Sequence, residues 1–225
     1  MNSVNGDTNS AVLDGAQQIE VKDSVIYLAM KRVMDVLGSV AALILAGPII
    51  LGFAFAVYLD DPHGSPFFSQ TRMGKDGKEF RFWKLRSMVC NAEALLPQLQ
   101  DKNEMDGPAF KIKEDPRVTR IGRFIRKTSI DELPQFWNVL KGDMSIVGPR
   151  PPLPGEVSQY TAYQMQRLAV KPGITCIWQI QHARNDLTFD QWVELDLEYI
   201  RSRSLWLDLK LILKTPFVMF GGQGR

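Results

Sequence analysis

From Val36 to Leu59 the chain carries no charged side chain, and this apolar run constrains what can be built more than any other feature. As one helix it would extend roughly 36 Å at about 1.5 Å per residue, enough to cross a hydrocarbon core about 30 Å thick. The core helix of a soluble domain is the alternative, although such apolar runs are usually shorter. Gly47-Pro48 lies near the middle of the run, where proline removes a helical donor and crowds the preceding turn, so a kink is expected. Lys31 and Arg32 precede the segment, and Asp60 and Asp61 follow it. For a straight span, charge bias would keep the N-terminus in the cytoplasm and export everything after Asp61. A sharp bend at Pro48 instead returns the chain to the face it entered, as a re-entrant helix-break-helix. Backbone groups freed at such a bend need partners inside the protein, and Ser39 is a candidate.

The segments flanking this run divide the chain into four parts. Residues 1–22 are polar, small-residue-rich and without apolar period or signal-peptide character, so a disordered tail is expected there. The membrane segment covers 23–61, with Asp23 or Ser24 able to cap it. One domain follows over 62–217, and 218–225 form a C-terminal tail. Within that domain, Phe67 to Arg72 and Glu79 to Leu85 flank the turn-rich Gly74-Lys75-Asp76-Gly77, which predicts a β-hairpin. A helix is expected over Asn91 to Gln100 and a polar loop over Asp101 to Arg117. Leu133, Phe136, Trp137 and Leu140 have helical spacing, with Gly142 as C-cap. Phe189 to Arg201 and Ser204 to Phe220 read as two more helices. The second carries Leu205, Trp206, Leu209, Ile212 and Leu213 on one side, which suits either a lipid interface or an ordinary core-packed helix. The fold class is therefore α+β and helix-rich.

Composition narrows the chemistry. A net charge of +2 over 225 residues is too small for nucleic-acid binding by bulk electrostatics. Cys90 and Cys176 are the only cysteines, far apart, which fits a reducing compartment and supports neither a zinc site nor a disulfide framework. With His63 and His182 the only histidines, carboxylates are the expected catalytic groups.

The densest chemistry lies from Arg120 to Gln135, where Arg123, Arg126 and Lys127 precede the adjacent acids Asp131 and Glu132. Ser129 and Glu132 have capping-box spacing, so a helix is expected to begin at Ser129, with the acids at its N-terminus. There the free amides and the helix dipole would keep Asp131 ionised and attract phosphate. An ionised carboxylate can attack phosphorus, its neighbour can hold a divalent ion, and arginine forks match phosphate geometry. The same spacing is also compatible with a plain helix start. Downstream, Pro149-Arg150-Pro151-Pro152 holds Arg150 in a stiff loop, which is either an anion grip or a solvent-exposed proline turn.

Taken in order, six features resemble the bacterial sugar transferase family. They are Lys31-Arg32 with Asp35, the interrupted apolar run, Phe82-Trp83-Lys84-Leu85-Arg86-Ser87-Met88, Asp131-Glu132-Leu133-Pro134-Gln135, Val147-Gly148-Pro149-Arg150-Pro151 and Lys171-Pro172-Gly173-Ile174-Thr175. The resemblance covers about Lys31 to Pro216. It implies a monotopic phosphoglycosyl transferase of minimal catalytic form on the cytoplasmic face of the bacterial inner membrane. Asp131 would attack the β-phosphorus of a UDP-sugar, release UMP and carry the phosphosugar to polyprenyl phosphate. Magnesium would act with the acidic pair, with Asp131 as nucleophile and Glu132 as metal partner. Arg126 and Arg150 match residues associated with the donor phosphates. Lys84 and Arg86 fall in a motif near the site, and Arg123 adds charge beside it. Two other readings remain open from the residues: a UDP-releasing glycosyltransferase, which lacks its usual Gly-rich phosphate loop here, and a membrane-anchored assembly factor whose arginines face anionic lipid.

Overall fold

The protein is described by a computed structural model over residues 19–21, 24–181 and 186–220. Of the expected N-terminal tail, residues 1–18 and 22 lie outside that range, as do the alternative cap Asp23, His182 and residues 221–225. Ile19 and Val21, expected to be disordered, instead pack against the main core, and the Ile19 amide donates to Gln166 at 2.6 Å. The elements in chain order are α1 (Val25–Asp60), β1 (Phe67–Met73), β2 (Glu79–Leu85), α2 (Ala92–Leu95), α3 (Arg120–Lys127), α4 (Gln135–Lys141), β3 (Ser145–Val147), α5 (Pro154–Val157), α6 (Ala162–Met165), β4 (Gly173–Thr175), α7 (Phe189–Ser202) and α8 (Leu205–Phe220). Short 3-10 turns connect several of them, so the α+β, helix-rich class holds.

The apolar run lies inside α1, a single helix of 36 residues that contains Pro48. Helix therefore continues on both sides of the proline, where two separate helices were expected. Ser24 occupies the N-cap position without a side-chain bond. Ser39 is buried, and its hydroxyl donates to the Val36 carbonyl one turn back at 3.1 Å, so it does not serve the neighbourhood of Pro48.

Both ends of α1 are fastened to the rest of the protein. Near its start, Lys31 Nζ donates to Asp208 (2.9 Å) and to the Tyr199 hydroxyl (3.1 Å). The Arg32 guanidinium donates to the carbonyls of Val139 and Leu140. Asp35 accepts from the Ser145 hydroxyl and the Ile146 amide. Near its end, Ile50, Ala54 and Val57 pack with Leu85 and Ile125 in a small apolar cluster. Phe53 stacks on Phe124 at 5.6 Å, and Asp60 accepts from the Ile121 amide. Elsewhere on its surface α1 presents bare apolar side chains: Leu37, Ile44, Leu45, Leu51 and Phe55 are each more than 60% exposed.

The main core forms where α7 and α8 close over β3 and α4, burying Val193, Leu197, Ile200 and Leu211 with Val139, Met144 and Val147. On α8, Leu207, Leu211 and Ile212 turn inward. Trp206, Leu209, Leu213 and Phe217 are left exposed, so the helix has two apolar sides, one packed and one bare.

The expected hairpin forms from β1 and β2, antiparallel in register from Phe67 opposite Leu85 to Met73 opposite Glu79. Side chains alternate across a strand, so Phe68, Gln70 and Arg72 share a face with Phe82 and Lys84. That face is the floor of the functional site. A second sheet, not foreseen, pairs β3 and β4 in parallel. It is closed by hydrogen bonds from the Gly148 amide to the Thr175 carbonyl and from the Gly173 amide to the Pro149 carbonyl. A Cβ on Gly148 or Gly173 would fall on the backbone of the other's segment, so only glycine permits this crossing.

Candidate active site

The acidic pair is positioned by a short relay of helical turns. Thr119 caps α3, its hydroxyl accepting from the Gly122 amide at 3.0 Å. The helix ends at Thr128, and Ser129 then adopts a left-handed conformation (φ 55°) that reverses the chain into a 3-10 turn over Ile130–Glu132. Ser129 thus stands at the N-cap of this 3-10 turn and not of the expected α-helix, and its side chain makes no capping bond. The expected capping box fails because capping requires an extended backbone at the cap residue, and the exit from α3 imposes a left-handed one. α4 begins only at Gln135 and ends at Gly142 (φ 93°), the C-cap that was expected.

This relay places Asp131 inside the protein, 7% exposed. It lines a cavity of about 190 Å³ together with Glu132, Arg72, Lys84, Arg126 and Arg150. Burial and the adjacent Glu132 push the Asp131 carboxyl up to about 7, against the opposing pull of Lys84 and Arg126. Desolvation thus works against the ionisation of Asp131 that a helix terminus was expected to favour. Lys84 moves the other way, to about 8, through its removal from water, partly offset by Asp131. The two groups are mutual electrostatic partners across the cavity.

The arginines of the cavity differ in their support. Arg150 stands in the Pro149–Pro152 loop, with Nη1 3.6 Å from Glu156, whose carboxylate also accepts from the Leu153 amide at 3.0 Å. Arg72 is 8% exposed and lies over the Phe82 ring at 5.4 Å. Its Nη1 donates to the Pro151 carbonyl at 3.0 Å, while Nε, also buried, has no partner among the described residues. Arg126 Nη1 is likewise buried and unpartnered. A buried donor without an acceptor costs stability unless a ligand completes it.

Two of the expected substrate contacts do not line the cavity that holds the acids, although Arg86 borders the cavity beside it. The Arg86 guanidinium pairs with Asp61 at 2.6 Å and donates to the Gly64 carbonyl at 3.2 Å. It clamps the end of α1 and does not line the cavity that holds the acids. Arg123 is exposed, donates to the Val118 carbonyl at 3.4 Å and is absent from the same lining. In a basic stretch every arginine carries the same charge, and only helical phase separates those that face the cavity from those that face solvent. Arg72 was missed, although its strand phase relative to Lys84 was available in the hairpin register. Gln135, buried just beyond the acids, and Gln179 also line the cavity, and no sequence motif had marked the second.

The acids, the cations and the glycine-crossed loop therefore meet in one place, and the same segments are those of a known family. The bacterial sugar transferase family matches residues 26–222. The chain belongs to that family. Among its relatives, the galactosyl transferase CpsE of Streptococcus agalactiae serotype III is 47% identical over 198 residues, covering 88% of this chain and 44% of the relative. The UDP-glucose:undecaprenyl-phosphate glucose-1-phosphate transferase of Escherichia coli K12 is 42% identical over 199 residues, covering 85% and 40%. The exopolysaccharide production protein ExoY of Rhizobium meliloti is 37% identical over 189 residues, covering 82% and 83%. This chain thus spans less than half the length of the first two and most of the third.

Proposed function

We propose that the protein transfers a sugar 1-phosphate from a UDP-sugar to polyprenyl phosphate in two steps at Asp131. The observation that carries this reading is one buried carboxylate sharing a cavity with four cations, two of which hold buried donors with no acceptor among the described residues. A carboxylate in a cationic cavity suits attack on a phosphoryl group, because the cations neutralise its oxygens while the leaving group departs. In the first step an Asp131 oxygen bonds to the sugar-bearing phosphorus, and the bond from that phosphorus to the bridging oxygen breaks. UMP leaves with the electron pair. In the second, an oxygen of polyprenyl phosphate attacks the same phosphorus and Asp131 departs as carboxylate. The names of the relatives, with undecaprenyl phosphate as acceptor and UDP-glucose as donor in the Escherichia coli protein, support the substrate classes.

Magnesium fits the donor set. Glu132 and Asp131 are adjacent carboxylates in the cavity, and magnesium is usually held by one or two carboxylates together with substrate phosphates and water. No cluster of three or more metal-binding side chains occurs among the described residues, so substrate oxygens would complete the coordination. The ion would supply charge neutralisation at the diphosphate.

The membrane arrangement we propose is supported by how α1 is held. A helix crossing the bilayer would separate its ends by the hydrocarbon thickness, yet Arg32 and Asp60 both bond to the one domain. The bare middle around Pro48 then enters one leaflet and returns, with the exposed stripe of α8 and the exposed Trp137 resting on the interface. The domain faces the cytoplasm, where UDP-sugars are made, on the bacterial inner membrane. The test is nucleotide product analysis after incubation with UDP-glucose or UDP-galactose, magnesium and undecaprenyl phosphate. UMP release is expected. UDP release would identify a glycosyltransferase, and release of neither would leave an assembly factor.

A further inference from the structure

A second cavity, of about 320 Å³, adjoins the first through a shared wall of Arg72, Lys84, Arg126 and Arg150. Asp131 and Glu132 line only the first. The second differs in chemistry, with Phe68, Met88, Phe110 and Leu153 supplying apolar and aromatic surface. Between them sit Gln70 and the buried Ser87. The side chains of these two polar residues form no hydrogen bond among the described residues. The Phe110 ring is steadied by the Arg117 guanidinium 5.4 Å from its centre, and Arg117 is itself locked to Asp115 at 2.6 Å.

We infer that this second cavity is the nucleoside subsite, in which Phe110 and its apolar neighbours receive the pyrimidine ring of the donor and Gln70 and Ser87 read its polar edge. The inference rests on the function proposed above and gives the two ends of the donor separate places. In phosphoryl transfer the attacking and leaving oxygens lie roughly in line through phosphorus. With Asp131 attacking from the first cavity, the leaving UMP must depart on the far side of the transferred phosphorus. The four cations then sit where the diphosphate crosses between cavities, and the second cavity lies beyond them. An aromatic surface suits a base, since every base has a stackable face. A primary amide matches the donor and acceptor edge of uracil in a way an alkyl lining cannot. The sugar is left on the side of Gln135, Ile174 and Gln179, which line only the first cavity.

The experiment measures binding, so it does not depend on turnover. Full-length protein in lipid nanodiscs is titrated with UMP and, separately, with ribose 5-phosphate, which has the phosphate and pentose but no base. Wild type should favour UMP. In Phe110→Ala and in Gln70→Ala the UMP affinity should fall about tenfold, a size expected for a lost stacking or base-edge contact. Ribose 5-phosphate binding should stay unchanged, so that its disadvantage narrows or vanishes. Equal weakening of both ligands would mean a general disturbance of the cation wall, and unchanged UMP binding would place the base elsewhere. Either overturns the subsite. Transfer assays on the same variants add a second discrimination. A raised KM for undecaprenyl phosphate with an unchanged KM for UDP-sugar would assign the cavity to the lipid acceptor. Absence of nucleotide release by wild type would defeat the proposed function while the UMP titration still decides whether a nucleoside binds here.

Discussion

Arg72 on β1 donates from Nη1 to the carbonyl of Pro151 at 3.0 Å and so ties the hairpin to the loop that carries Arg150. One residue further on, the Met73 amide donates to the Pro152 carbonyl at 2.9 Å. The proline loop is therefore fastened on one side by β1 and on the other by Glu156, and the buried Arg72 and half-buried Arg150 line one cavity. Burial and the charge of Arg150 both lower the affinity of Arg72 for its proton, as expected for a like-charged pair held together without its anion.

Arg72→Ala should raise the KM for UDP-sugar at least about tenfold, from loss of a charge-assisted hydrogen bond worth about 1.5–3 kcal/mol. Arg72→Lys keeps the charge and loses the fork, so it should fall between. Steady-state kinetics with the donor varied at saturating acceptor checks this. A wild-type KM in both variants would make Arg72 only a strut for the loop.

Arg150→Ala should weaken donor use comparably, with Arg150→Lys partly active. Glu156→Gln removes the carboxylate that orders Arg150 while preserving shape, and should raise the donor KM by a smaller factor than Arg150→Ala does. If Glu156→Gln proved the more damaging of the two, Glu156 would have a role of its own in binding.

The convergence of Asp131, Glu132, Arg126, Arg150 and Lys84 was legible because each lies in a dense motif, and the hairpin, α7 and α8 were legible from their periods. Other features were hidden for identifiable reasons. The spacing of Ser129 and Glu132 satisfies a capping box on paper, but the handedness of the backbone at Ser129 is set by how α3 ends, which side-chain spacing does not record. β3 and β4 have three residues each, too few for a period to show. Arg86 and Arg123 look like phosphate ligands by charge, yet one clamps Asp61 and the other faces solvent. The polar face of α1, where Lys31 and Asp35 are buried, was masked by the apolar run that follows it.

Asp131 and Lys84 should together impose a bell-shaped pH dependence on the first chemical step. Asp131 is pushed up to about 7, so its attacking carboxylate increases as pH rises through that value. Lys84 is lowered to about 8, so its positive charge is lost above it. Rapid-quench measurement of UMP formation without acceptor should show both limbs. Lys84→Arg should carry the alkaline limb upward, and a profile flat from pH 6 to 9 would contradict these assignments.

The same shift has a stability consequence. A carboxyl whose folded pKa is raised contributes stability that is present below its unfolded value and is lost as pH rises through about 7. Asp131→Asn, neutral at every pH, should therefore raise Tm at pH 8 and do so more than at pH 5. A lower Tm at pH 8 would show that the surrounding cations outweigh the cost of burying the charge.

Topology is tested with Cys90 and Cys176 removed and single cysteines introduced at Asn9 or at Gln223, probed in intact cells with a membrane-impermeant thiol reagent. Both sites should be protected if α1 returns to the cytoplasmic face. Labelling at one with protection at the other would mean that α1 crosses the bilayer. Pro48→Ala should shift some molecules toward crossing, since it removes the local cause of a bend.

The central claim is that Asp131 carries the phosphosugar, and its most direct measurement is covalent capture. Protein incubated with UDP-sugar radiolabelled at the sugar-linked phosphate, with magnesium and without acceptor, is quenched and its protein-bound label counted. Wild type should hold up to one label per active chain, discharged by added undecaprenyl phosphate. Asp131→Asn, confirmed as folded by its Tm, should hold none, whereas label retained by that variant would contradict the assignment.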